Sequence, residues 1–331
     1  MLATRTPLRI SFFGGGTDIP SVYRELGYGA VFSATINRYI YIFVNHKFKL
    51  LSTGISAKYS ELEEVPNPKY LKHPIMRSIL TRLEMNDLDI SISSDIPGGT
   101  GMGSSSAFTV GFLKACFELK SIGLTNLDIA KIATDIEINE LKEPIGKQDT
   151  YAAALGGVNH LRFTDDEVTN HKTSMSESEL LSLQDSTYLL SVGKPRKTSE
   201  LLSRQLDSLT SNSKHIELYE KMRDQADWAR SISHFCPYEF GSEIQEAWAL
   251  KRQLSDSITN EEVEKKIFLG LKAGSTGAKL LGAGGSGFIL FIVPKEKQGP
   301  FISQMSPLNP FKIELINAGT EVMYSDEEKS A

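Results

Sequence analysis

Cysteine is nearly absent from this 331-residue chain, which has two, Cys116 and Cys236. They build no disulfide framework and no zinc-ligand spacing, which suits a reducing compartment. Long apolar runs are missing as well. Tyr39–Val44 and Phe288–Val293 have the length of strands, far short of a membrane span. Residues 1–16 lack the apolar stretch of a secretory signal, so a cytoplasmic location is expected. Positive charge is in deficit: 36 Lys and Arg against 41 Asp and Glu give a formal net charge of −5. That balance speaks against nucleic acid and anionic membrane as partners, and an anionic ligand must be met by a local cluster of cations. The six histidines show no metal-ligand pairing, and there is no internal repeat or low-complexity tract. What is present is a globular composition, 40% hydrophobic and 23% charged, in a chain long enough for two domains.

The chain is organised around residues 88–117. Leu88–Ser93 alternates apolar and polar residues, as a half-buried strand does. Pro97, Gly98, Gly99, Thr100, Gly101, Met102, Gly103, Ser104, Ser105 and Ser106 follow, and from Ala107 to Leu119 the apolar residues take helical spacing. Strand, glycine-rich loop and helix start form an anion site, because glycines let backbone N–H groups approach a phosphate and the helix start adds unpaired donors. The loop lacks the Gly-Lys-Ser/Thr ending of a Walker A motif and the Gly-x-Gly-x-x-Gly spacing of a dinucleotide fold.

Other stretches read as follows. Leu8–Phe13 is a strand leading into Gly14-Gly15-Gly16-Thr17-Asp18, where three glycines imply close backbone approach or a sharp bend. Val31–Ala34 and Arg38–His46 are two strands, Lys58–Lys69 a loop, and His73–Met85 an amphipathic helix. Thr125 and Asp128 resemble a capping box for a helix whose apolar face Glu137 borders. Asp149, just before Ala152-Ala153-Ala154, is held near the core, where an unpaired carboxylate is costly. Thr164–Gln184 is polar without a strong period, and a domain boundary is expected near its end, dividing the chain into 1–184 and 185–331. Strands are expected at Val158–Phe163, Thr187–Val192, Phe288–Val293, Lys312–Ile316 and Gly319–Tyr324. Helices are expected at Thr198–Leu209, Lys214–Phe235 and Ser242–Ser255, and at Asn260–Ala273 behind a Thr259…Glu262 capping box.

Three motifs in order resemble the GHMP kinases, the galactokinase, homoserine, mevalonate and phosphomevalonate kinase superfamily. They are Pro7-x-Arg9…Gly14…Asp18, the loop Pro97–Ser106, and Lys279-x-x-Gly282-Ala283-Gly284-Gly285-Ser286-Gly287. The resemblance implies an α+β, two-domain GHMP kinase fold: an N-terminal ATP-binding half like ribosomal protein S5 domain 2 and a C-terminal ferredoxin-like half. ATP and acceptor then occupy the cleft between them. It further implies that the loop cradles the ATP phosphates and that Ser105 and Glu137 hold Mg2+. Asp149, with Arg9 close by, addresses the acceptor hydroxyl.

On the same grounds Gly15, Gly16, Thr17, Asp18, Gly284 and Gly285 border the substrate. Lys194, Arg196 and Thr198, with Lys197 among them, form a basic turn beside a helix start that is expected to hold a substrate phosphate, Arg196 through two hydrogen bonds. Galactokinases carry Glu-His where this chain has Gly15-Gly16, so galactose fits poorly and a bulkier sugar is expected. The stretches Arg9–Asp18 and Gly146–Ala153 resemble the D-glycero-D-manno-heptose 7-phosphate kinases, implying phosphorylation of the anomeric O1 of a sugar phosphate. Fucose-type and phosphomevalonate-type kinases are the rivals, and a non-catalytic GHMP-fold sensor is a third alternative. The sequence carries no signature of oligomeric state.

Overall fold

The computed structural model describes residues 1–48, 53–194 and 213–326. Two long, β-branched and aromatic strands form its spine, β1 (Leu2–Phe13) and β2 (Gly29–His46), paired antiparallel along their lengths. The sequence suggested two strands where β2 is one, because polar Asn37 and Arg38 interrupt the apolar alternation. The ladder instead absorbs them in a register shift between Pro7 and Leu8 of β1. Pro7 has no N–H to give, so the irregularity falls where the ladder loses least.

β2 is long enough to serve two partners. Its end pairs with β5 (Leu88–Ser94) and its beginning with β6 (Val158–Phe163), in an eight-stranded sheet. β3 (Ile55–Lys58), β4 (Leu62–Val65) and β7 (Val168–His171) extend this sheet, and β12 (Glu321–Ser325) closes its other edge against β1. The chain thus returns at its end to the first sheet, and a cut at 184/185 separates that strand from the sheet it completes.

α3 (Ser104–Leu119), α4 (Asn126–Thr134) and α5 (Gln148–Leu155) pack together beside β1 and β2. A smaller four-stranded sheet has the order β11-β8-β10-β9, built from Phe311–Lys312, Thr187–Val192, Gly287–Ile292 and Gly277–Leu280. It carries α8 (Pro237–Arg252) and α9 (Glu261–Lys272), while α7 (Ser213–Ser231) lies against β2 and α8. This is the α+β arrangement expected from the three motifs. No helix among the described residues is long and apolar enough to cross a membrane.

Several local expectations are corrected. The Lys58–Lys69 loop contains β4. The Thr164–Gln184 stretch holds β7 and most of α6 (Glu177–Ser186), a short polar helix whose amphipathic signal is weak. α9 is capped by Asn260, whose side chain accepts from Val263 N, rather than by Thr259. The strand expected at Lys312–Ile316 shrinks to two residues plus a bridge from Leu315 to Ile36. The helix Thr198–Leu209 lies outside the described residues.

An aromatic cluster joins the C-terminal helices to the end of β1. Phe240 on α8 packs its ring 5.4 Å from Phe12 and 5.1 Å from Phe13, with Trp228 and Phe235 behind. Phe240 is 1% exposed, so Phe240→Ala is expected to lower stability by about 3–5 kcal/mol in urea unfolding. Exposed Tyr238→Ala is the control and should change it by less than about 1 kcal/mol. Equal costs for the two would mean that the cluster does not hold β1 to α8.

Candidate active site

The site grows from the N-terminus of α3. Its first helical residue is Ser104, and Gly103 before it adopts a left-handed conformation with φ of 72°. Glycine takes that conformation without strain, and having no side chain it cannot cap the helix. The first-turn N–H groups therefore face the open side. The same loop is locked from behind: a methyl group on Gly282 would lie 2.2 Å from Gly101 Cα, and one on Gly287 would lie 2.3 Å from Thr100 O. The loops of the second and third motifs thus meet backbone to backbone.

Arg9 ties three elements together. From β1, its backbone N–H bonds to Met102 O at 3.2 Å. Its Nη1 donates to Gly101 O at 2.7 Å, while Nε and Nη2 reach Asp149 Oδ1 at 2.7 and 2.6 Å. Arg9 is 5% exposed, and Asp149, in the first turn of α5, keeps part of its carboxylate open to the cavity.

Glu137 stands on a six-residue π-helical segment, Asp135–Glu140, that continues α4. Such wider turns re-aim side chains and recur at functional sites. The carboxylate is buried, accepting from Thr109 Oγ1 at 2.5 Å and Ser106 Oγ at 2.8 Å. Burial pushes its pKa up to about 7 against these two hydroxyls. Asp18 is buried too, accepting from Gly16 N, Gln148 N and Gln148 Nε2. Burial raises its pKa to about 6, opposed by the backbone donors. Gly146 is what lets Asp18 in, since a methyl group there would lie 1.8 Å from Asp18 Oδ2.

These groups line one cavity of about 640 Å3, the size of a small-molecule site. Arg9, Gly15, Gly16, Asp18, Gly98, Gly99, Gly101, Gly103, Ser104–Ser106, Glu137 and Asp149 all border it, so most sequence-derived candidates converge.

Others do not. Thr17 is wholly buried, its hydroxyl donating to Gly14 O and Ala30 O and accepting from Ala30 N, so it braces the turn instead of facing a ligand. Pro97, Thr100 and Met102 do not line the cavity: Met102 is fully buried, Thr100 is buried with its Oγ1 donating to Pro97 O, and Pro97 is exposed elsewhere. Gly284 and Gly285 pack on Ile258, and Gly282 and Ala283 border the cavity in their place. Lys194 is exposed and is not among the cavity's lining residues. Arg196, Lys197 and Thr198 lie outside the described residues. Ser106, not Ser105, is the direct hydroxyl partner of Glu137, because successive helical residues diverge around the axis; Ser105 is exposed at the cavity wall.

Gln148, Lys251 and Lys279 were missed. Gln148 and Lys279 stand inside quoted motifs without a role, and Lys251 carries no local signal at all.

Glu137 yields a pH-dependent prediction. Its native pKa of about 7 lies above the ordinary 4.5, so the stability it contributes is full below pH 4.5 and is lost as pH rises through 7. Glu137→Gln removes that loss. In urea unfolding without added metal, the variant should gain on wild type by roughly 1–3 kcal/mol between pH 5 and pH 8. Parallel pH profiles would show that the carboxylate is not held in this environment.

Comparison with known proteins agrees with this geometry. Residues 69–157, which include the glycine loop, Glu137 and Asp149, match the model of the GHMP kinases N terminal domain. The chain is 29% identical to a D-glycero-alpha-D-manno-heptose 7-phosphate kinase of Campylobacter jejuni, across 90% of this chain and 91% of that one. It is 23% identical to a galactokinase of Thermotoga petrophila, across 91% of each. Among solved structures, a D-glycero-D-manno-heptose 1-phosphate kinase from Bacteriodes thetaiotaomicron superposes with a TM-score of 0.77 at 24% identity, over 98% of this chain and all of that one. Mevalonate kinase from Methanococcus jannaschii does so at 0.73 and 21%, over 95% and 98%. With the three motifs meeting at one cavity, residues 69–157 matching the GHMP kinases N terminal domain and a fold shared from end to end with solved GHMP kinases, this chain carries a GHMP kinase N-terminal domain and has the two-domain α+β GHMP kinase fold.

Proposed function

We propose that this protein transfers the γ-phosphoryl group of ATP to the anomeric O1 of D-glycero-D-manno-heptose 7-phosphate, giving the 1,7-bisphosphate. The observation that carries the reading is the convergence of the α3 N-terminus, the Arg9–Asp149 pair and buried Glu137 on one cavity. Support for the acceptor comes from the heptose 7-phosphate kinase relative and from the absence of side chains at Gly15 and Gly16, which leaves room beside Asp18 for a large sugar.

Phosphoryl transfer asks for positioning and charge stabilisation more than for covalent chemistry. Backbone N–H groups of Gly98–Ser106 take the ATP phosphates. Asp149 accepts the hydrogen bond of the acceptor hydroxyl and aims its oxygen at the γ-phosphorus, with Arg9 fixing the carboxylate's orientation. Asp18, held by three N–H donors, keeps its remaining lone pairs for sugar hydroxyls.

The donor set fits Mg2+. Glu137 offers a buried carboxylate and Ser105 an exposed hydroxyl on the same wall, both hard oxygen donors. An ion held there would complete its shell with phosphate oxygens and water. Bound there, it supplies neutralisation of phosphate charge.

Acceptor-dependent ADP release across a panel of sugars and sugar phosphates tests the proposal; heptose 7-phosphate is expected to give the highest kcat/KM. Preference for an unphosphorylated sugar would contradict it. Asp149→Asn should lower kcat by roughly 10²-fold or more with KM for ATP little changed; a variant retaining most of its kcat would make the carboxylate structural. Glu137→Gln should lose turnover and Mg2+ dependence. Glu140→Gln should not, since exposed Glu140 accepts from Ser78 Oγ at 2.6 Å and does not line the cavity.

A further inference from the structure

The same cavity holds two cations that the proposed chemistry leaves unused. Lys279, on β9, is 5% exposed, and its ammonium donates to Phe12 O at 2.6 Å. Lys251, in the last turn of α8, donates to Gly282 O. Both line the cavity beside Arg9. Arg9 is balanced by Asp149, but among the described residues no carboxylate pairs with either lysine.

The charges that act on them are cations: Arg9 on Lys251, and Lys251 with Arg9 on Lys279. Burial and this crowding push Lys251 down to about 8 and Lys279 well below its ordinary range. Two ammonium groups withdrawn from water without counter-charge are costly. Among the described residues each has a single backbone acceptor, which leaves N–H donors there for a ligand that brings negative charge into the cavity.

Accepting the sugar-phosphate reading above, we propose that Lys251 and Lys279 are the seat of the acceptor's own phosphomonoester. Lys251, bonded to Gly282 O where the third motif meets the glycine loop, acts on Lys279, and the location of Lys279 favours the acceptor phosphate over the nucleotide phosphates. Phe12, which anchors Lys279, lies three residues along β1 from Arg9, roughly 10 Å at 3.3 Å per residue. That direction leads away from the glycine loop, towards the Gly14–Asp18 turn. A sugar with its reacting hydroxyl at Asp149 and its phosphate at the lysines spans a distance of this order. A phosphomonoester dianion there supplies the counter-charge that the two ammonium groups lack. This seat is proposed in place of the basic turn expected at Lys194, Arg196 and Thr198, of which Lys194 does not line the cavity and the others lie outside the described residues.

The test compares Lys251→Met, which keeps the stem and removes the charge, with Lys251→Arg, which keeps the charge. Substrates are heptose 7-phosphate and the unphosphorylated heptose. Lys251→Met should raise KM for the phosphate ester ten- to a hundredfold, leaving KM for ATP and for the free heptose nearly unchanged. Lys251→Arg should recover most of the loss, and a thermal melt of each variant checks folding. An equal rise for both sugars, a fall in kcat at unchanged KM, or loss of phosphate preference in Arg196→Ala alone would overturn the proposal. The acceptor reading is judged separately, on wild type: should it prefer free sugars, that reading fails. The lysine seat is then decided by calorimetric titration of inorganic phosphate with a non-hydrolysable ATP analogue filling the glycine loop. Phosphate binding that Lys251→Met abolishes supports the seat, and binding that survives the substitution refutes it.

Discussion

A single guanidinium holds the active cavity together. Arg9 comes from the first strand, bonds the glycine loop through Met102 O and Gly101 O, and grips Asp149 at the start of α5. Because it is 5% exposed, its charge is balanced inside the protein, and removing Asp149 would leave the guanidinium buried without its carboxylate. The glycine contacts between Gly101 and Gly282 then set the third motif against the same loop. Positions 9, 101, 149 and 282 are far apart in sequence, yet each fixes the others within a bond or a van der Waals contact. In this chain the three motifs therefore depend on one another: each is the other's wall.

The cavity is also balanced as an electrostatic whole. Its carboxylates Asp18 and Glu137 are pushed up to about 6 and 7 by burial, and its two lysines are pushed down by burial and by their neighbours. Acids and bases alike are shifted towards their neutral forms in the ligand-free protein. On the proposed reading, ligands of opposite charge would reverse both shifts, a divalent cation near Glu137 and phosphates near the lysines. On that reading, a chain of net charge −5 would receive two polyanions through a few cations withdrawn from solvent.

Sequence pattern captured what is local. The glycine loop, the helix behind it and the Gly146–Asp149 turn were legible because their conformations are dictated within about ten residues. Glu137 was reached through the helix face it borders and through the family resemblance, though its aim into the cavity depends on a π-helical segment that no pattern announces. Thr17 looked like a ligand from its place between Gly16 and Asp18, but its hydroxyl is spent on the backbone of β2. Lys251 was invisible for the opposite reason. A lysine in the last turn of a helix is the ordinary partner of the helix dipole, and only the packing of α8 over Gly282 turns it inward. The polar helix α6 was missed, and the strand expected at Lys312–Ile316 is shortened to β11, because tertiary contacts, not amphipathic period, define both.

Phosphorus NMR of the wild-type reaction tests the central claim, that the cavity aligns an anomeric hydroxyl with the γ-phosphate of ATP. Supplied with ATP, Mg2+ and heptose 7-phosphate, the enzyme should convert the sugar stoichiometrically with ADP formation. A new phosphorus signal coupled to the anomeric proton should appear while the 7-phosphate signal persists. A new phosphate on any other carbon, or ADP formed without a second phosphate on the sugar, would contradict the account.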